Sequence, residues 1–154
     1  MASSEMASSE TASLAFDFSV LSAPFQAAAA KKSVKVRLTV LDKDLKVIYS
    51  DEVAGTPGMM AKIAVSKGRS YQDGAVLQDP GMCKTICCMM CPWMWGCTKG
   101  MPVQGTVGFA VPGTEASCIV VNGAPAAHDD LAIVEEALAA AGFTKDGDGT
   151  YKPE

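Results

Sequence analysis

Residues 34–49 constrain the fold more than any other stretch of the chain. Val34, Val36, Leu38 and Val40 alternate with Lys35, Arg37 and Thr39, the two-residue period of a half-buried strand. Leu45, Val47 and Tyr49 alternate in the same way, and the polar run Asp42-Lys43-Asp44 lies between them. This pattern predicts two strands paired as an antiparallel hairpin. Thr56-Pro57-Gly58 then reads as an N-cap followed by proline at the first helical position, and Gly68 as a left-handed stop. A short helix over about 57–67 is expected, with Met60, Ile63, Ala64 and Lys67 on one side and Met60 and Ile63 packed against the hairpin.

The order of strand, turn with Asp42, strand ending at Tyr49, Gly55, and a helix opened by Met59-Met60-Ala61-Lys62 resembles the hairpin-and-helix motif of the cryptophyte phycobiliprotein alpha subunit. Related scaffolding proteins of red algal phycobilisomes share that motif. In the alpha subunits a cysteine shortly after the turn aspartate carries the bilin. Here Lys43, Asp44, Leu45 and Lys46 follow Asp42, so the resemblance implies the scaffolding relatives rather than a pigment carrier.

The chain has 154 residues, 49% apolar and 19% charged, which suits one core with appendages and excludes a wholly disordered protein. No charge-free run reaches the roughly 20 apolar residues of a membrane-spanning helix, so no transmembrane segment is expected. The net charge is −4, yet residues 31–69 hold nine Lys and Arg against four Asp and Glu. Nucleic acid would want a larger basic patch interleaved with aromatics, so no nucleic acid partner is expected. An acidic protein partner and a merely solvated hairpin both fit.

The N-terminus repeats the pentapeptide Met-Ala-Ser-Ser-Glu and carries acid where an organelle transit peptide carries arginine. Residues 1–33 read as an extended arm, either loose or ordered when Phe16, Phe18 and Phe25 dock on another protein.

Five of the six cysteines, five of the nine methionines and both tryptophans fall within 82–101. The spacing Cys83-x3-Cys87-Cys88-x2-Cys91-x5-Cys97 matches neither structural zinc nor a ferredoxin cluster. Soft donors could hold copper(I), and disulfides could staple a loop in an oxidising compartment. A thioether-linked bilin is conceivable only through the family resemblance. The favoured reading is an apolar ridge in which Met89, Met90, Trp93 and Trp95 bury against a partner.

Further on, Val103, Val107, Phe109 and Val111 alternate with polar or small residues, and Cys118–Val121 is a short apolar run closed by Asn122-Gly123. Two more strands are expected. Asp129-Asp130 suit a helix N-terminus, and Leu131, Val134, Leu138 and Ala141 continue an amphipathic helix to Gly142. Lys145-Asp-Gly-Asp-Gly-Thr-Tyr151 resembles the centre of a calcium loop, but Thr144 stands where the first ligand belongs. It reads as a surface turn joining Phe143-Thr144 to Thr150-Tyr151. The single histidine, His128, reads as a solvated or capping residue, and no nucleophile has a base beside it in sequence.

The expected fold is α+β: a small antiparallel sheet, hairpin plus two further strands, with two short helices and an extended N-terminal arm. The expected organisation is an arm over 1–33, a hairpin-and-helix module over 34–68, a Cys/Met/Trp-rich segment over 69–101, and strands with a C-terminal amphipathic helix over 102–154. The resemblance implies a non-enzymatic scaffold or linker of a chloroplast, thylakoid-associated light-harvesting assembly such as a phycobilisome. Its partners would be phycobiliprotein subunits or other antenna proteins, with no cofactor or metal of its own. The alternative is a Cys/Met-rich metal-binding or thiol redox module.

Overall fold

The computed structural model describes residues 16–72 and 105–154. The fold is α+β, and among the described residues it comprises six strands and three α-helices. The expected hairpin forms. β1 (Arg37–Asp42) pairs antiparallel with β2 (Val47–Glu52), with Val40 opposite Tyr49 and Leu41 opposite Val47. The Asp42 carboxylate ties the turn by accepting hydrogen bonds from the backbone N–H groups of Asp44 and Lys46, at 2.8 and 2.9 Å. Leu45 there adopts a left-handed φ of 65°.

β3 (Thr106–Phe109) and β4 (Ala116–Asn122) are the two further strands. β5 (Phe143–Lys145) and β6 (Thr150–Pro153) form a small antiparallel hairpin around the expected turn at 146–149. The sheet order is β2-β1-β4-β3-β6-β5. One pairing departs from the antiparallel expectation: β3 runs parallel to β6, with Gly108 opposite Thr150 and Phe109 opposite Tyr151. Both strands end up side by side because the helix between β4 and β5 carries the chain back across the sheet, as a parallel pairing requires.

The N-terminal arm is corrected over its described part. Asp17 caps a 3-10 turn at Phe18–Leu21, its Oδ1 accepting from Ser19 N–H at 3.0 Å, and α1 (Ser22–Lys32) follows. Leu21, Phe25, Ala28 and Ala29 are all buried, at the i, i+4, i+7, i+8 spacing of one helical face. The alanines at 27–30, within the expected arm, are good helix formers. Lys31 and Lys32 lie in the last turn, where positive charge suits the helix dipole.

α2 (Met60–Gln72) starts later and runs longer than expected, passing straight through Gly68. Thr56 does not cap it; the Thr56 hydroxyl donates instead to the carbonyls of Val53 and Val36. Gly68 is a contact point, since a Cβ built there would lie 2.4 Å from Leu41 Cδ1. The buried positions of α2 are Ala64, Lys67, Gly68 and Ser70, while Met60 and Ile63 are only half-buried. α3 (Ala127–Ala140) is the expected amphipathic helix, ended at Gly142 with φ 90°.

Alternation along the strands sorts the core into two. Leu38, Val40, Val107, Phe109, Ile119 and Val121 pack with residues of α1 and α3, whereas Leu41, Cys118 and Val120 pack with Ala64 of α2. The sheet is therefore the middle of three layers. No helix among the described residues is long and apolar enough to cross a membrane.

Candidate functional site

The first turn of α3 carries three polar side chains with three different surroundings. Its N-cap, Ala126, has no side chain able to cap, so the partial positive charge of the helix end is met by Asp129 and Asp130. Asp130 points inward. One carboxylate oxygen accepts from Ala124 N–H at 3.1 Å, and the other meets Lys67 Nζ of α2 at 3.4 Å. Both side chains of this pair are almost sealed from solvent. Burial pushes the Asp130 carboxyl up to about 6 against the pull of Lys67, and burial likewise lowers the Lys67 ammonium.

Asp129 lies at the rim. Its Oδ1 stands 3.4 Å from Lys32 Nζ at the end of α1 and 3.6 Å from His128 Nε2. His128 projects outward with 70% of its side chain exposed. It caps nothing, and as the single histidine of the chain it is the one imidazole available to a ligand. A second ion pair, Lys31 with Glu136 at 3.1 Å, also joins α1 to α3. Among the described residues no three His, Cys, Asp or Glu side chains converge to hold a bare metal ion. A metal already chelated and lacking one ligand could be met by His128 alone.

Cys118 cannot serve as such a donor. It is fully buried beneath Gly68, and burial raises its thiol to about 12, so the thiolate that would bind metal or attack an electrophile is not formed.

The residues expected to hold partners fall in different places. Phe25 is fully buried in the chain's own core. Phe16 and Phe18 are half-buried and packed against that core. Phe18 stacks on Tyr49 at 6.2 Å, while Phe16 meets Phe18 edge-on at 5.0 Å and Phe143 at 5.9 Å. Met89, Met90, Trp93 and Trp95, with the five clustered cysteines, lie outside the described residues. Sequence reasoning placed His128 and Asp129-Asp130 at a helix start, but nothing in the sequence distinguished the buried aspartate from the exposed one. The pairing of Asp130 with Lys67 carried no sequence signal, since 63 residues separate the two.

No family model matches the chain, and no curated protein matches it in sequence. Solved structures match in fold. The protein of the PduOC:heme complex is 16% identical, superposes with a TM-score of 0.52, and the match covers 82% of this chain and 95% of that one. The Klebsiella pneumoniae protein ORFY, of family DUF336, is 14% identical with a TM-score of 0.51, covering 79% of this chain and 84% of its own. These matches overturn the resemblance to the phycobiliprotein alpha subunit and, with it, the phycobilisome scaffold. They give no support to the alternative metal or thiol module either. The hairpin and helix over 34–67 are not a free-standing motif, because β1 pairs along its whole length with β4 as well as with β2. A strand alternation and a few single residues are common to many sheets, so they did not identify a family. What the chain shares with these two proteins is its fold.

Proposed function

We propose that this chain is a non-catalytic heme-binding domain that would take heme at the exposed N-terminal end of α3, where His128 would hold the iron. The observation that carries the reading is the outward imidazole of His128 on a fold shared with a protein solved as a heme complex. The donor set supports it. Heme iron is already held by four porphyrin nitrogens and is completed by a single imidazole, which is what this surface offers. The Lys32 ammonium, touching the same Asp129 oxygen as His128, adds a cation within reach of the porphyrin carboxylates. Cys118 and Lys67 are buried among protein atoms and take no part.

Heme bound there would supply a redox-active iron at the surface, and the chain's own residues would anchor and orient it. Asp129 Oδ1, 3.6 Å from His128 Nε2, places a carboxylate beside the imidazole. The reading departs from the expectation of no cofactor and keeps the expectation of no enzyme. It rests on binding chemistry, and the shielded Cys118 thiol is unsuited to nucleophilic work. Phycobiliprotein partners and a thylakoid location followed from the discarded resemblance and have no other support.

The test is titration of the full chain with hemin, followed by the shift and sharpening of the Soret band. Saturable binding that weakens about tenfold or more in His128→Ala is expected. Equal binding by wild type and His128→Ala, or none by wild type, would overturn the proposal.

A further inference from the structure

The two faces of the sheet are held very differently. On the face covered by α1 and α3 the described core contains eighteen buried apolar residues. On the face covered by α2 it contains four: Leu41, Ala64, Cys118 and Val120. Leu45, Val65 and Tyr71 pack partly buried against these four, and three polar side chains of the sheet lie beside them. Thr39 and Thr106 are each the cross-strand neighbour of Val120, one on either side, so both point at α2. Asn122 lies two residues further along β4 on the same face and donates to the Met60 carbonyl at 3.1 Å.

All three residues are at least 99% buried. Thr39 Oγ1, Thr106 Oγ1 and Asn122 Oδ1 nevertheless have no hydrogen-bond partner. A buried oxygen without a partner loses its water and gains nothing in return. Three on one face, under one helix, mean that docking α2 is opposed by desolvation where it should be favoured by apolar burial. Gly55, with φ 89°, and Gly58, around which a Cβ would meet nothing within 4 Å, punctuate the connection from β2 to α2.

We propose that α2 is a hinged cover. It lifts from the sheet about the 53–59 connection, hydrating Thr39, Thr106 and Asn122, while the sheet, α1 and α3 stay folded. The opened face then presents two hydroxyls and a carboxamide in adjacent strands. The opening is a sub-global event with its own equilibrium, distinct from unfolding of the domain.

Hydrogen exchange of the full chain read by mass spectrometry tests this. Amides of 60–72 should exchange at least tenfold faster than those of 116–122 and 127–140, with a denaturant dependence smaller than that of global unfolding. The double variant T39V/T106V keeps volume and strand preference but removes the unpaired hydroxyls, so it should slow exchange of 60–72 at least tenfold and leave the order of the other segments unchanged. T39S/T106S, which keeps the hydroxyls, should not slow it. The proposal is overturned if 60–72 exchanges only together with 127–140, or if T39V/T106V matches wild type. Failure of T39V/T106V to fold while T39S/T106S folds would overturn it too, because the hydroxyls would then be partnered. None of these variants touches His128, so the outcome is independent of heme binding.

Discussion

Lys67 of α2 and Asp130 of α3 form an ion pair, Nζ to Oδ2 3.4 Å, that joins a helix on one side of the sheet to the N-terminal turn of a helix on the other. The backbone N–H of Ala124 holds the second carboxylate oxygen, and Gly105 makes room for the arrangement. A Cβ on Gly105 would stand 2.7 Å from Asp130 Cβ, and its φ of 93° is one that only glycine adopts easily.

The pair makes stability depend on pH in a direction opposite to that of an ordinary salt-bridged carboxylate. Asp130 titrates at about 6 in the fold against an ordinary 3.8. Near pH 4 and below the buried carboxyl holds its proton and carries no charge, as the unfolded one increasingly does, so its burial costs least there. As pH rises through 6 the folded carboxyl must ionise and the advantage is lost. Urea unfolding of wild type and Asp130→Asn between pH 4 and 7 should show wild type losing stability relative to the variant as pH rises. A wild type that gains over this range would contradict the assignment.

Gly68→Ala tests the closeness of α2 to the sheet. The added methyl would overlap Leu41 Cδ1, and Leu41 is fully buried. Overpacking of this kind should cost about 1–3 kcal/mol, although alanine is the better helix residue by roughly 1 kcal/mol. A net loss measured by urea unfolding is expected. A gain would mean that α2 sits further from β1.

Phe25→Ala and Phe16→Ala separate core from surface in the N-terminal segment. Phe25 is fully buried, and its truncation should cost about 3–5 kcal/mol. Phe16 is half-buried and should cost clearly less. Equal, small effects would restore the loose arm.

Cys118 should react with thiol reagents in the folded protein no faster than α2 lifts from the sheet, and much faster once denaturant unfolds the domain. Its sulfur is buried and its thiol is raised to about 12, so the reactive thiolate is scarce at neutral pH. Alkylation followed by peptide mass spectrometry reads this cysteine apart from the other five. Rapid labelling at Cys118 without denaturant would show that α2 and the sheet leave it open.

Local patterns were legible in the sequence wherever a short period carried them. The alternation over 34–49 specified the β1–β2 hairpin because the side-chain period of a strand is a property of neighbouring residues. The Asp129-Asp130 start and Gly142 stop bracketed α3 for the same reason, and the aspartate-glycine run at 146–149 marked the turn between β5 and β6. Phe25 was misplaced because an alanine-rich segment has little contrast between faces, and only its packing beside α3 in the shared core makes one face buried.

Long-range relationships were decided by the tertiary structure alone. Gly68 could have ended a helix or admitted a neighbour, and the approach of Leu41 settled which. Gly108 faces Thr150 across a parallel pair that no local pattern announces, because forming it requires α3 to lie between the two strands in the chain. Asp129 and Asp130 are chemically the same residue in adjacent positions, yet one faces Lys32 and solvent while the other is sealed against Lys67. The sequence by itself determined that two carboxylates stand at a helix start. Which one is buried, and hence which is pushed up to about 6 and which lies beside the exposed His128, was determined by the packing that buries Asp130 together with Lys67, since desolvation is a property of the surroundings and not of the residue.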